Sequence, residues 1–147
     1  MVNPNKVYLT QTDTTVGFLS QDKTKLNIIK NRPLNQPVLR EVDSLETLKN
    51  FVRVPNKYKK MLRRAKKTTF IFPNTESYRV VKDERHLEFL KKFKWMYSTS
   101  ANLHGKKFDE NWAREQADVI VEDKRELFEG EPSSIFKLSK NKIKRIR

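Results

Sequence analysis

Short strand-like runs and short amphipathic segments alternate irregularly along this chain, and this pattern constrains the fold more than any other feature of the sequence. The strand-like runs are rich in β-branched and aromatic residues. They cover residues 7–9, 38–42, 68–72, 78–81, 96–99, 119–121 and 135–138, with a basic strand or tail at 142–147. Because helices and strands mix without strict alternation, the pattern predicts an α/β or α+β sheet with packed helices in a single domain, residues 1–147.

Helix start and stop signals lie between these strands. Asp43, with Glu46 three residues later, predicts a capping box, and Pro55 ends that helix. Asp83 predicts the start of another helix. Two further helices are predicted at 57–65 and 109–116, the second anchored by Trp112.

The amino-acid composition excludes cysteine-based sites, and the sequence shows neither a membrane span nor a signal peptide. The chain has no cysteine, which excludes disulfides, thiolate zinc sites and cysteine nucleophiles. No apolar run approaches the roughly 20 residues of a membrane span, and no signal-peptide pattern begins the chain. We therefore expect a cytoplasmic protein with no membrane partner.

A strong positive charge points to a polyanionic partner. Lysine and arginine outnumber aspartate and glutamate 32 to 18, for a formal net charge of +14. The densest basic segment holds seven cations and no acid: Lys57, Lys59, Lys60, Arg63, Arg64, Lys66 and Lys67. A basic tail covers about 137–147. The segment is either a solvated helix face or a surface for RNA phosphates, such as those of tRNA or double-stranded RNA.

Glycine and histidine usage restricts the chemistry further. Only three glycines occur, so neither a Walker phosphate loop nor a dinucleotide fingerprint is present. His86 and His104 are too far apart for a helical metal pair. His86 is interpreted as a packing or surface residue, and His104 as a neutral residue or a ligand contact. No triad spacing is recognisable, and no metal site is predicted from protein side chains alone.

Three polar segments follow or connect the apolar runs. Ser98–Gly105 reads Ser-Thr-Ser-Ala-Asn-Leu-His-Gly directly after a strand-like run, and Thr10–Phe18 follows another. Lys30-Asn31-Arg32-Pro33 lies between them, and the proline disfavours helix through Arg32. Short hydroxyl and amide side chains at the end of a strand are suited to an anionic ligand.

Together these segments resemble the YrdC-like family of threonylcarbamoyl-adenylate synthases over nearly the whole chain. The family's Pro-Thr-Asp-Thr-Val-Tyr-Gly-Leu stretch is matched at Thr12, Asp13, Thr14 and Gly17. Its Lys-x-Arg is matched at Lys30 and Arg32, and its Ser-Thr-Ser-Ala-Asn-x-Ser-Gly at 98–102 and Gly105. The resemblance implies a twisted, mixed open sheet with packed helices and a basic cleft.

The resemblance also implies roles for individual residues. The implied catalytic residues are Lys30, Arg32, Ser100 and Asn102. The implied ATP and phosphate ligands are these four with Ser98 and Ser134. Thr12 and Arg79 are implied to bind threonine, and a late arginine, Arg145 or Arg147, matches the family pattern.

The implied activity is that of a nucleotidyltransferase making threonylcarbamoyl-AMP from L-threonine, bicarbonate and ATP with Mg²⁺, for tRNA modification. No tightly bound cofactor is expected, and a downstream threonylcarbamoyl transferase complex is an expected partner. The family's N-terminal helix is missing, Gln11 replaces a proline, and Thr15-Val16 replaces Val-Tyr. The alternative is a non-catalytic module on the same fold that binds double-stranded RNA or tRNA.

Overall fold

A computed structural model describes residues 2–147 and divides the chain into two compact units. Unit 1 contains the residues up to Val38 together with Met96–Glu131. Unit 2 contains Leu39–Trp95 together with Pro132–Arg147. Each unit is therefore built from two separate chain segments. The single domain over 1–147 stays a prediction.

Nine strands and five helices are present among residues 2–147. The strands are β1 (Tyr8–Gln11), β2 (Val16–Ser20), β3 (Leu39–Val42), β4 (Thr68–Ile71), β5 (Ser77–Val80), β6 (Trp95–Ser100), β7 (Val119–Ile120), β8 (Ser134–Leu138) and β9 (Ile143–Arg145). The helices are α1 (Lys23–Ile29), α2 (Leu45–Leu48), α3 (Asn56–Arg64), α4 (Glu84–Leu90) and α5 (Glu110–Gln116). None of these helices is both long and apolar enough to cross a membrane.

The strands of unit 1 are ordered β7-β1-β2-β6. β2 pairs antiparallel with both β1 and β6, while β7 pairs parallel with β1. The core of this unit includes Leu9, Phe18 and Leu26, whose side chains are fully buried. The Trp112 ring meets Phe18 edge-on at 5.8 Å between centroids, so the predicted tryptophan anchor of α5 is confirmed.

The strands of unit 2 are ordered β3-β5-β4-β8-β9. Parallel pairs (β3 with β5, β4 with β8) alternate with antiparallel pairs (β4 with β5, β8 with β9). Leu48 of α2, Leu62 of α3 and Tyr78 of β5 are buried together in the core of this unit. Parallel and antiparallel pairing in both units agrees with the predicted mixed α/β class.

The predicted helix starting at Asp43 needs correction. Ser44 is the N-cap, and its hydroxyl oxygen accepts from the Thr47 backbone N–H at 3.1 Å. The Asp43 carboxylate instead accepts from the Thr47 hydroxyl at 2.5 Å. The helix lasts one turn and ends at Leu48, well before Pro55. The cap at Asp83 is confirmed, since its carboxylate accepts from the Arg85 N–H at 3.0 Å.

Two elements of unit 1 are absent from the sequence-based assignment. Strand β2 begins at Val16, so the loop predicted over 12–17 is shortened to the turn between β1 and β2. Helix α1 (Lys23–Ile29) directly precedes Lys30, and its N-cap is Asp22, whose carboxylate accepts from the Thr24 N–H at 3.0 Å. Both elements position residues of the candidate site.

Candidate functional site

The loop after β6 is held against β2 by backbone contacts. Ser100 lies opposite Gly17 in the antiparallel pair, and the Ala101 N–H donates to the Val16 carbonyl at 3.0 Å. Ser98 is buried within β6, whereas Ser100 at the end of the strand is exposed. Gly105 has a φ of +74°, which a glycine adopts without strain.

The Asn102 side chain closes this loop. Its amide group donates to the Leu103 carbonyl at 3.0 Å and to the Lys106 carbonyl at 2.8 Å. Both of these bonds use the side-chain nitrogen of Asn102. The side-chain oxygen accepts from the Lys30 ammonium at 3.4 Å. The amide therefore links the loop to the end of helix α1.

Helix α1 ends in a Schellman motif that sets the positions of Lys30 and Arg32. Asn31 takes the left-handed conformation with a φ of 55°. The Arg32 N–H donates to the Asn27 carbonyl at 2.9 Å, and the Asn31 N–H donates to the Ile28 carbonyl at 3.1 Å. These are the six-to-one and five-to-two bonds of the motif. The Lys-x-Arg segment therefore forms the C-terminal end of helix α1, with Lys30 at the C-cap and Arg32 two residues after it.

Lys30 is buried, with its side chain directed at the loop after β6. Its ammonium donates to the Ser100 carbonyl at 2.8 Å and to the Asn102 carbonyl, and it lies 3.3 Å from the Ser100 hydroxyl. Burial, with a smaller contribution from the nearby charge of Arg32, lowers the pKa of Lys30 to about 8. The structure therefore brings three of the four predicted catalytic residues into direct contact.

Arg32 differs from Lys30 in having unused donors. Its Nε and one terminal nitrogen are buried and have no hydrogen-bond partner among residues 2–147. Burial also lowers its pKa, although the guanidinium stays charged at neutral pH. Since buried donors are normally satisfied, and a guanidinium matches phosphate or carboxylate oxygens in pairs, this arrangement suits an anionic ligand.

Thr12 lies in the turn between β1 and β2 and is buried. Its hydroxyl donates to the Thr15 carbonyl at 2.6 Å and accepts from the Thr14 N–H at 3.1 Å. Strand β6 packs closely against this end of β2, since a Cβ on Gly17 would lie 3.0 Å from the Thr99 carbonyl oxygen and 3.3 Å from the Thr12 methyl group. The Thr12 hydroxyl therefore stabilises the turn, and its contact with threonine stays a prediction.

Arg79 lies in unit 2, inside a buried ionic network that sequence reasoning missed. Its guanidinium donates to the Glu41 carboxylate at 2.5 Å and to the Thr69 hydroxyl at 3.3 Å. The second carboxylate oxygen of Glu41 contacts the Nε2 of His86. Arg79, Glu41 and His86 are each at most 4% exposed. His86 is thus a packing residue, and threonine binding by Arg79 stays a prediction.

Ser134, the predicted nucleotide ligand of unit 2, begins strand β8. Its N–H donates to the Lys67 carbonyl at 3.1 Å. The neighbouring Ser133 hydroxyl contacts the Thr69 hydroxyl at 2.8 Å, and the Ser133 carbonyl accepts from Arg147 Nε at 2.9 Å. Of the two late arginines left open by the sequence, Arg147 is the one in contact with this serine pair.

The basic segment of unit 2 forms helix α3 and the turn after it. Tyr58 and Leu62 face the core, as the apolar spacing predicts. The exposed cations are Lys57, Lys60, Arg63, Arg64, Lys66 and Lys67, while Lys59 is half-buried. Burial, with a smaller contribution from the nearby charge of Arg63, lowers the pKa of Lys82.

The fold and the lysine–loop site agree with a known family. A sequence model of the Sua5/YciO/YrdC family, described as telomere recombination, matches residues 2–147. The chain belongs to this family, as the motif resemblance predicts. Among curated protein sequences, none matches the chain.

Solved structures share the fold at low sequence identity. Sua5 of P. abyssi, in a complex with L-threonine, has a TM-score of 0.76 and 18% identity over 97% of this chain and 50% of its own. E. coli YciO has the same TM-score and identity over 97% and 82%. A full-length HypF in a phosphate- and nucleotide-bound form has a TM-score of 0.70 and 15% identity over 97% and 26%. The chain thus spans about half the length of the Sua5 chains, and the predicted YrdC-like fold is confirmed.

Proposed function

We propose that the unit 1 site binds the phosphates of ATP and supports the formation of threonylcarbamoyl-AMP from L-threonine, bicarbonate and ATP with Mg²⁺. The observation that carries the proposal is Arg32, whose two buried donors lack protein partners. They lie beside the charged Lys30, which the loop from Ser100 to Asn102 holds in place. A role in tRNA threonylcarbamoyladenosine modification follows from the family.

The chemistry of this reaction fits such a site. The amine of threonine takes up carbon dioxide, which bicarbonate gives by loss of water, to form a carbamate. A carbamate oxygen then attacks the α-phosphorus of ATP and pyrophosphate leaves, so the protein needs no nucleophilic side chain. It needs fixed positive charge at the phosphates and correct positioning of the reactants. Partly buried cations act strongly here, because little water screens them.

Each residue has a role in this proposal. Arg32 contacts phosphate oxygens with its paired donors, and Lys30 adds charge while fixing the loop. The hydroxyls of Ser98 and Ser100 and the amide of Asn102 complete the phosphate contacts, with Mg²⁺ supplied together with ATP. Thr12 and Arg79 toward threonine, and Ser134 toward the nucleotide, keep their predicted roles. The L-threonine complex of Sua5 and the nucleotide-bound HypF support both ligand classes.

The direct test incubates purified protein with ATP, Mg²⁺, bicarbonate and labelled threonine and looks for threonylcarbamoyl-AMP. Product should form, and it should disappear when bicarbonate or threonine is omitted. Arg32→Met should abolish product and weaken ATP binding, whereas Lys25→Met, which removes an exposed lysine of helix α1, should change neither. Folded protein that binds ATP but gives no product would contradict the proposal.

A second candidate function, binding of tRNA or double-stranded RNA, is favoured by the exposed cations of α3. Six exposed cations without an acid, within residues 57–67, suit phosphate contacts along an RNA backbone. Binding should fall steeply with salt. Arg63→Ala with Arg64→Ala should reduce that dependence, and Lys91→Ala with Lys92→Ala, an exposed pair elsewhere in unit 2, is the matched control.

A further inference from the structure

Unit 2 contains a cavity of about 720 Å³ that includes no residue of the unit 1 site. Its deep side is apolar, formed by the buried side chains of Tyr58, Phe72 and Leu138, and the half-buried Phe51 lines it as well. The Tyr58 hydroxyl is turned to the Ser139 carbonyl, to which it donates at 3.1 Å. The volume lies within the range of cavities that hold small ligands. Three aromatic rings line it, which favours a ligand with a flat apolar part.

The charges at this cavity have one sign. Arg53, Lys57 and Lys140 line it, and all three are exposed. An adjoining cavity of about 330 Å³ shares Arg53 and adds Lys49 and Lys59. None of the described residues that line either cavity is acidic. A ligand for this place therefore combines an apolar part with negative charge.

The positive charge extends away from the cavity along helix α3. The helix begins at the cavity with no side-chain cap, and its nine residues span about 13 Å. Lys60, Arg63 and Arg64 continue the exposed charge that begins at Lys57. This row of exposed cations is longer than the phosphate of one nucleotide could contact. Charge complementarity therefore favours a polyanion over a single nucleotide.

We propose that this cavity accommodates an unstacked base of single-stranded nucleic acid, with the flanking phosphates on the cations of its rim and of helix α3. This inference rests on the proposed polyanion binding by α3 and adds a base-binding site to it. Bases stack on aromatic side chains with little dependence on sequence, so the site should bind single strands of varied sequence. A duplex, whose bases are paired and stacked, should use the cations alone.

The test measures binding of a fluorescein-labelled single-stranded RNA of about twelve nucleotides, within the usual site size for single-strand binders. The same sequence as DNA, the RNA duplex and free AMP serve as comparison ligands. Asn56→Trp fills the mouth of the cavity without changing charge, and Asn111→Trp is the matched control on exposed helix α5. Asn56→Trp should weaken single-strand binding roughly five- to hundred-fold, the loss of one stacked base, and leave duplex binding unchanged.

A charge variant separates this inference from the function on which it rests. Arg53→Ala with Lys140→Ala, which leaves every cation of residues 57–67 in place, should lower the salt slope of single-strand binding by about 1.4, which corresponds to two phosphate contacts, and should leave the slope of duplex binding unchanged. Asn74→Trp, at a second exposed residue that lines the cavity, fills it without changing charge and should weaken single-strand binding in the same way if Asn56→Trp does not fold. Single-strand RNA and DNA bound alike would support the proposal.

Other outcomes would overturn it. Wild-type affinity of folded Asn56→Trp for the single strand would overturn the base site while leaving duplex binding by α3 intact. An AMP affinity equal to that of the oligonucleotide would assign the cavity to a free nucleotide instead. If neither single strand nor duplex binds, the RNA-binding function itself fails.

Discussion

The lowered pKa of Lys30 makes the stability of the protein depend on pH in a defined direction. An ordinary lysine has a pKa of 10.5, and burial lowers that of Lys30 to about 8 in the folded protein. Between these values the unfolded chain binds more protons than the folded one at this site. The free energy of unfolding therefore rises with pH across the window from about 8 to 10.5.

The size of this effect follows from the shift. Each pKa unit is worth about 1.36 kcal/mol, so the full shift corresponds to about 3 kcal/mol. At pH 7 both states are almost fully protonated at Lys30, and at pH 10 most of the change has taken place. Between pH 7 and pH 10 the contribution of Lys30 to the free energy of unfolding should rise by roughly 2–3 kcal/mol.

The assay is urea denaturation of the wild type and of Lys30→Met at both pH values. Because many other groups titrate over this range, the useful quantity is the difference between the two proteins. The free energy of unfolding of the wild type should rise by roughly 2–3 kcal/mol relative to that of Lys30→Met on going from pH 7 to pH 10. Lys25→Met controls for the loss of one positive charge from a strongly basic chain. A difference that stays constant, or that falls with pH, would refute the argument.

Three further substitutions test other parts of the structure by the same denaturation assay. Asn31→Val places a β-branched residue at a φ of 55° and should cost about 1–2 kcal/mol, whereas Asn31→Gly should not destabilise the protein. Glu41→Gln leaves the buried charge of Arg79 without its counter-charge and should cost about 3–5 kcal/mol. Gly17→Ala places a methyl group 3.0 Å from the Thr99 carbonyl oxygen and should cost about 1–3 kcal/mol, since the backbone cannot easily move aside. Wild-type stability of Asn31→Val, Glu41→Gln or Gly17→Ala would contradict the contact that the substitution tests.

Local sequence signals predicted the elements that have one apolar and one polar face. Helix α3 is the clearest example, because Tyr58 and Leu62 recur at helical spacing among cations. Strand β2 gave no such signal, because all five of its residues are buried and no alternation remains. Helix α1 was obscured because the apolar Ile28 is 62% exposed, while the polar Asn27 next to it is fully buried.

The buried network of unit 2 could not be read from local patterns. Glu41 meets Arg79 because β3 and β5 pair in parallel with these residues opposite each other, 38 positions apart in sequence. His86 reaches the same carboxylate from helix α4. A glutamate within a strand-like run is typical of an exposed strand face, so nothing in the sequence distinguished this residue as buried.

The site of unit 1 was predicted by motif resemblance, but the structure separates two residues that the motif treats as a pair. Lys30 donates to the carbonyls of Ser100 and Asn102, so its ammonium is largely occupied by the loop. Arg32 has buried donors without protein acceptors. Lys30 is therefore chiefly a positioning residue that fixes the loop, and Arg32 is the residue whose hydrogen-bond donors remain for a ligand.

It follows that Arg32→Met should reduce phosphate binding while leaving the free energy of unfolding nearly unchanged, because it removes donors that the fold does not use. Lys30→Met should alter both phosphate binding and the free energy of unfolding, because it releases the loop. Equal effects of the two substitutions on the free energy of unfolding would show that this division of roles is wrong.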